Sequence, residues 1–358
     1  MDNLNAVLHQ MEAFGIELRK RDLDVIYTLP GSLNEGKRKT CGKGGKDWFK
    51  FYLFRPNAGG SFITGSFGTY RHGGSWEKVD NDFAPLNAAE RERQRQERAE
   101  KAKQAAAERA CEIANARADA AIHWRRGERE GHSPYLERKG VQGESCRYLA
   151  RQLVLRWPAR DSRQEDTVVR LPEGTLMLPL IRYDLPREEA LRGLQFIRPD
   201  GQKVYLRGFD KQGAALRLGT VEDDTPLLLV VEGYATGLTV RAALDRRLPV
   251  FVAFDAGNLA HVVPLLRELH PGVRILICAD DDWKTVDQRT QRLNNPGRTA
   301  ARAIARQVPG VDMVYPVFDN ARRGEKDTDF DDLRTREGIE VARRQLEGAV
   351  QMMERVHG

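Results

Sequence analysis

The chain has 358 residues, of which 41% are apolar and 31% charged, with a formal net charge of +6. That length suits two or three domains, and the basic balance permits an anionic partner such as nucleic acid. Cys41, Cys111, Cys146 and Cys278 form no CxxC pair, which argues against a zinc ribbon or a disulfide framework, and no apolar run reaches the length of a membrane span.

In chain order, Leu4, Val7, Leu8, Met11, Phe14 and Leu18 recur at helical spacing and predict an amphipathic helix over 1–20. This N-terminus has no basic segment followed by an apolar one, so no signal peptide is expected. A basic, Gly-rich stretch follows, EGKRKTCGKGGKD. Then come two alternating runs, 48–55 and 60–71, joined by a turn holding Pro56, Asn57, Gly59 and Gly60. Residues 1–85 read as a small α+β domain. Residues 86–126 change character: from Asn87 to Arg126 there is no Gly or Pro, and Ala, Arg, Glu and Gln dominate. They predict one long, mostly solvated linker helix. Residues 127–219 open on Ser133–Pro134, a helix start, and continue in strands over 175–184, 191–208 and 214–219, with a PDG turn at 199–201. Residues 220–358 alternate continuous apolar strands with amphipathic helices. That pattern implies a mostly parallel sheet flanked by helices on both faces. The fold class is therefore α/β: a parallel-sheet domain preceded by a basic β-rich subdomain and a small N-terminal α+β domain on a long helical linker.

Acidic residues fall where chemistry is expected in such a sheet, at the carboxyl ends of strands. Glu232 closes LLLVVEG, Asp280 to Asp282 close VRILICADDD, and Asp329, Asp331 and Asp332 lie in TDFDDL. Each alone is as readily a helix cap. Three groups at three strand ends would repel one another unless a hard cation neutralised them, and Mg²⁺ or Mn²⁺ suits oxygen ligands of this kind. If the strand continues, Asp280 and Asp282 point the same way and Asp281 the other. The candidate metal ligands are Glu232, Asp280, Asp282, Asp329 and Asp331, with more than one register open in the third group. Gly233 would let the following helix start close to a phosphate.

This pattern of strand–Glu–Gly, strand–Asp-x-Asp and a further acidic cluster resembles the Toprim domain. That domain is shared by DnaG-type primases, topoisomerases of types IA and II, OLD-family nucleases and RecR-type repair proteins. A narrower resemblance, to Toprim primases of phages and mobile elements, is carried by SPYLERKGV, TLMLPLIR, LQFIRPDGQKVYLRG, VVEGYATGLTV, FDAGNL, ADDD, NNPGRTAA and DTDFDDL, over 132–333. It implies metal-dependent nucleotidyl transfer making short primers, with Glu232, Asp280 and Asp282 catalytic. It also implies a single-stranded DNA template, nucleoside triphosphates, a separate replicative helicase as candidate partner, and the cytoplasm of a bacterial host. The zinc module common upstream in such primases is missing, and so is a phosphate loop of the GxxxxGK[ST] kind.

Two basic regions add to this reading. By resemblance, Lys203 and Arg207, with Arg198, would face the metal site and take nucleotide or template. Residues 36–55 hold seven Lys or Arg against Asp47 alone, with aromatics interleaved. There Lys37, Arg38, Lys39, Lys43 and Lys46 are candidates for nucleic-acid contact, because phosphate neutralisation is the general source of affinity. Two rival readings are an OLD-like Toprim nuclease and a non-catalytic nucleic-acid-binding or partner-blocking protein on the same scaffold.

Overall fold

The computed structural model describes residues 1–27, 38–55, 59–71, 74–81, 88–157, 166–286, 293–321 and 323–355. They divide into two units, Met1–Ala99 with Thr285–Asn294, and Glu100–Lys284 with Asn295–Gly358.

The first unit begins with α1 (Leu4–Ala13) and α2 (Lys20–Tyr27). The helix expected over 1–20 thus stops at Ala13, and a second one begins only at Lys20. Gly15, at φ 95°, ends α1, and the Ile16 and Gly15 amides return to the carbonyls of Met11 and Glu12. That is a Schellman cap, and a left-handed glycine is what it needs. An antiparallel sheet follows in the order β1 (Lys39–Cys41), β2 (Asp47–Phe54), β3 (Phe62–Thr69), β4 (Ser75–Lys78). Phe49, Phe51, Ile63 and Phe67 form a core with Val7, Met11, Ile16 and Ile26 of the helical layer. The turn residues Pro56 and Asn57 lie outside the described residues.

Helix α3 (Ala88–Arg126) is one element of 39 residues. Its later part is not merely solvated. Ala116 and Ala120 are buried, Arg109 donates to the carbonyls of Gly208 and Phe209, and Arg117 donates to that of Glu188. Alanines at these positions let the helix approach closely.

The second unit continues with α4 (Pro134–Lys139), β5 (Arg147–Tyr148), β6 (Leu153–Trp157), β7 (Thr167–Leu171), β8 (Leu176–Ile181), α5 (Arg187–Ala190), β9 (Leu191–Ile197) and β10 (Lys203–Tyr205). Strands β10-β9-β8-β5 form an antiparallel sheet, and β6 and β7 pair separately. Next come β11 (Leu216–Leu218), β12 (Leu227–Val231), α6 (Tyr234–Ala243), β13 (Val250–Val252), α7 (Ala256–Leu269), β14 (Arg274–Cys278), α8 (Pro296–Gln307), β15 (Val311–Val314), α9 (Phe330–Glu337) and α10 (Ile339–Arg355). Their sheet has the order β11-β13-β12-β14-β15, parallel except for β11. A bridge between Ile181 and Ala215 ties the antiparallel sheet to it.

Alternation along these strands sorts the core. Leu227, Leu229, Val231, Leu276 and Cys278 face α6, α9 and α10, whereas Leu228, Val230, Ile275 and Ile277 face α7 and α8. Strands buried on both faces read as unbroken apolar runs. The route from β12 out to β13 and back across to β14 makes a switch in strand order, and the crevice beyond such a switch is where open α/β sheets bind ligands.

Candidate metal centre

Glu232 is the first residue past β12, and Asp280 the second past β14. The apolar strands beneath are fully buried, so both carboxylates are carried to the sheet's rim by packing they take no part in. Glu232 Oε1 and Asp280 Oδ1 are buried and have no hydrogen-bond donor among the described residues. A buried acceptor left without a partner costs about 1–3 kcal/mol, and more when charged.

The electrostatics tell the same story. Burial pushes Glu232 up to about 7, reinforced by Asp282, Asp255 and Asp329 and opposed by Lys203. Asp280 is raised well above the carboxylate range, first by burial and then by Glu232, Asp329, Asp282 and Asp332. Asp329 is pushed up to about 6 by burial and then by Asp332. Among the described residues, Lys203, acting on Glu232, is the base that opposes these raised carboxylates. Two orphaned oxygens inside a ring of further acids fit a divalent cation. Among the described residues no group of three His, Cys, Asp or Glu side chains is arranged to hold a metal ion. Mg²⁺ needs none, since it keeps several waters and is commonly held by one or two carboxylates with substrate phosphates.

Around this cluster each neighbouring acid has a distinct partner. Strand β14 ends at Cys278, so Asp280 to Asp282 lie in the loop beyond it rather than on a continuing strand. Asp281 turns away into a cage, accepting from Arg323 at 2.8 Å, Arg298 at 3.3 Å and the Asn295 side-chain amide at 2.6 Å. Asp282 Oδ2 accepts from the Gly297 amide at 2.9 Å, at the positive end of α8, where a carboxylate is stabilised. Gly297 has no room for a side chain: a Cβ there would stand 2.5 Å from the Asp280 carbonyl oxygen.

Asp329 is the N-cap of α9 in a reciprocal capping box with Asp332. Its other oxygen accepts from Thr236 of α6 at 2.8 Å. Asp331 corrects the sequence reading. Expected among the metal ligands, it is fully buried in a different direction, accepting from Lys139 at 2.7 Å, Arg334 at 2.8 Å and Thr239 at 2.8 Å. Burial alone would raise its pKa, but the hydrogen bonds from Lys139 and Arg334 hold it below the usual range. Asp332, named in the third acidic group but left out of the metal set, adds its charge to the field on Asp280 instead.

Of the basic candidates, Lys203 is exposed on β10 and acts on Glu232. Arg207 lies over the Trp157 ring at 4.9 Å and donates to Thr167, so it is tied to the β6–β7 pair. Arg198 donates to Gln202 and lies near Asp200. Gly233, at φ −103°, sits in a conformation open to any residue. Gly237 is the constrained one, because a Cβ would meet Val252, Leu218 and Val231 at 3.0 to 3.2 Å. In the first unit Arg38 covers the Trp48 ring at 4.1 Å, Lys43 and Lys46 are exposed, Lys39 is half-buried, and Lys37 lies outside the described residues.

Sequence reasoning missed Asp255. Asp255 follows β13, caps α7 by accepting from the Asn258 amide, pairs with Lys211, and adds to the field on Glu232. Its signal was the FDAGNL stretch at a third strand end. Phe254 before it holds a left-handed φ of 72°, which marks local strain beside the cluster.

Residues 227–340 match the family profile described as the Toprim domain. The chain carries a Toprim domain. It is related to two DNA primases TraC of Escherichia coli. One is 28% identical over 215 residues, 51% of this chain and 14% of the relative; the other is 36% identical over 127 residues, 35% of this chain and 11% of the relative. The chain thus spans about an eighth of the length of these relatives. The DnaG primase catalytic domain bound to single-stranded DNA is similar with a TM-score of 0.40 and 13% identity, covering 68% of this chain and 82% of that one. The primase fragment of the bacteriophage T7 primase-helicase protein has a TM-score of 0.35 and 14% identity, covering 50% and 66%. The Toprim domain contains Glu232 and Asp280 to Asp332, whereas Lys203 and Lys211 lie just outside it. Among the described residues no helix is long and apolar enough to cross a membrane.

Proposed function

We propose that this Toprim protein is a DNA primase, joining nucleoside triphosphates into short primers on single-stranded DNA with Mg²⁺ or Mn²⁺. The observation that carries this is the pair of buried, unpartnered oxygens on Glu232 and Asp280, amid Asp282 and Asp329 and in the field of Lys203. Glu232 and Asp280 would hold the cation directly, with Asp282 and Asp329 adding negative charge beside it, and the cation would neutralise triphosphate charge when bound. Asp281 and Asp331 serve as anchors that fix the loop and α9 behind the acids. Lys203 draws phosphate toward the carboxylates, and Lys211 holds Asp255 at their edge.

In this reading residues 220–358 hold metal and nucleotide, residues 127–219 supply the basic wall, residues 86–126 link, and residues 1–85 take the template. A separate replicative helicase is the proposed partner. Tyr234 does not favour a strand-cleaving reading, because it is buried and its hydroxyl exchanges hydrogen bonds with the Glu144 backbone. The test is to incubate the full chain with single-stranded DNA, labelled ribonucleotides and Mg²⁺ or Mn²⁺. Short oligomers that vanish with Asp280→Asn are expected. Nicked DNA formed without nucleotides, or wild-type-like function after Glu232→Gln, would overturn the proposal in favour of a nuclease or a non-catalytic protein.

A further inference from the structure

The first unit's sheet has two chemically different faces. Along β2, Phe49 and Phe51 turn into the helical core, while Trp48, Lys50 and Tyr52 turn out. Register fixes what lies beside them. Trp48 pairs with Gly68 and Gly68 with Trp76; Lys50 pairs with Ser66 and Ser66 with Lys78. On the outer face, then, Gly68, itself buried, and half-buried Ser66 of β3 lie between a Trp–Lys wall on β2 and a second Trp–Lys wall on β4. With neighbouring strands about 4.8 Å apart, the two walls stand about 10 Å from each other. No strand position on this face, from Thr40 to Lys78, is acidic.

The rings are also presented unusually. Trp76 is 58% exposed and Tyr70 50% exposed. Trp48 is buried, with the Tyr70 ring at 6.3 Å and the Arg38 guanidinium at 4.1 Å from its own ring. A large indole left in water on a short strand is costly to keep unless something covers it. Flat rings flanked by lysines, with no acid between, complement a chain that has planar faces and negative charge at regular intervals. A duplex hides its base faces and could use only the lysines.

We propose that this face binds single-stranded DNA, with bases stacking on Trp76 and Tyr70 and phosphates meeting Lys50 and Lys78. The surface differs from the 36–46 loop singled out in the sequence. The choice of DNA over RNA rests on the primase reading, whereas the stacking surface itself does not.

The test is fluorescence anisotropy of the full chain with labelled dT20, rU20 and a duplex, at two salt concentrations. Trp76→Ala with Tyr70→Ala should weaken dT20 binding about tenfold or more, and Trp76→Phe should restore most of it. Lys50→Ala with Lys78→Ala should flatten the salt dependence by about 1.4 in logarithmic slope. Asp280→Asn should bind dT20 as wild type does, so loss of primer synthesis and loss of strand binding are separable. Binding within twofold of wild type in the aromatic variant overturns the proposal, as does tighter binding of the duplex. Tighter binding of rU20 overturns the choice of occupant.

Discussion

Lys139 Nζ stands 2.7 Å from Asp331 Oδ2, joining α4 to the first turn of α9 across 192 positions of sequence. Asp331 has no exposed surface, and Lys139 closes the cage over it. Removing one member of a buried pair leaves the other charged and desolvated, at about 3–5 kcal/mol. Since the Lys139 side chain is one-third exposed, the lower end is expected for Lys139→Met, and more for Asp331→Ala. Urea unfolding checks this, and an unchanged midpoint for either variant would show that the pair contributes nothing.

The two classes of acid at the rim should respond oppositely to neutralisation. Asp280→Asn removes like-charge repulsion, so stability should hold or rise while activity falls on the order of 100-fold or more. Asp281→Asn leaves Arg323 and Arg298 facing an uncharged group and should lower the melting temperature. Mg²⁺ should raise the melting temperature of wild type and not of Asp280→Asn, as differential scanning fluorimetry would show. A stabilising response to Mg²⁺ in Asp280→Asn equal to wild type would remove Asp280 from the site.

Glycines in the Toprim domain are not equivalent. Gly297→Ala should push α8 off the Asp280 carbonyl and cost both stability and activity. Gly233→Ala should be milder, because its backbone angle is ordinary and the tight contact is with a side-chain atom, Thr236 Oγ1 at 3.2 Å, rather than backbone. Comparing melting temperatures and primer yields of the two variants decides it.

A pH effect is expected in the first unit. Asp22 is buried and accepts from the Arg19 side chain and backbone and from the Gly42 amide. Burial alone would raise its pKa, but these hydrogen bonds hold it below the usual carboxylate range. A depressed carboxyl stabilises the fold above its unfolded pKa and loses that contribution as pH falls through the folded one. Stability should therefore decline as pH drops below about 4, and Asp22→Asn should be less stable at pH 7 with a shallower decline.

The parallel sheet was legible because strands buried on both faces have no alternative reading. Strand ends were less so. Leu227–Val231 and Arg274–Cys278 both stop short of the acids, since a loop is needed to turn carboxylates inward. In TDFDDL three acids fall within four positions, and sequence alone does not say which caps the helix. Once Asp329 caps, Asp332 folds back onto it and Asp331 is swung toward Lys139. In β2 both faces carry aromatics, so alternation cannot tell the core pair Phe49 and Phe51 from the outer Trp48 and Tyr52. The β6–β7 pair escaped notice because its exposed Arg156 and Arg170 break the apolar signal.

Thr236 and Thr239 stand nearly one turn apart on α6, and each holds a different aspartate of α9. Adding or deleting one residue between them would rotate one hydroxyl about 100° away from its partner. The stretch from Glu232 to Thr239 therefore has a fixed length, and descendants of this sequence are expected to vary in residue there but not in number. Library selection with single-residue insertions along α6 would show it as a gap in survivors between those two threonines.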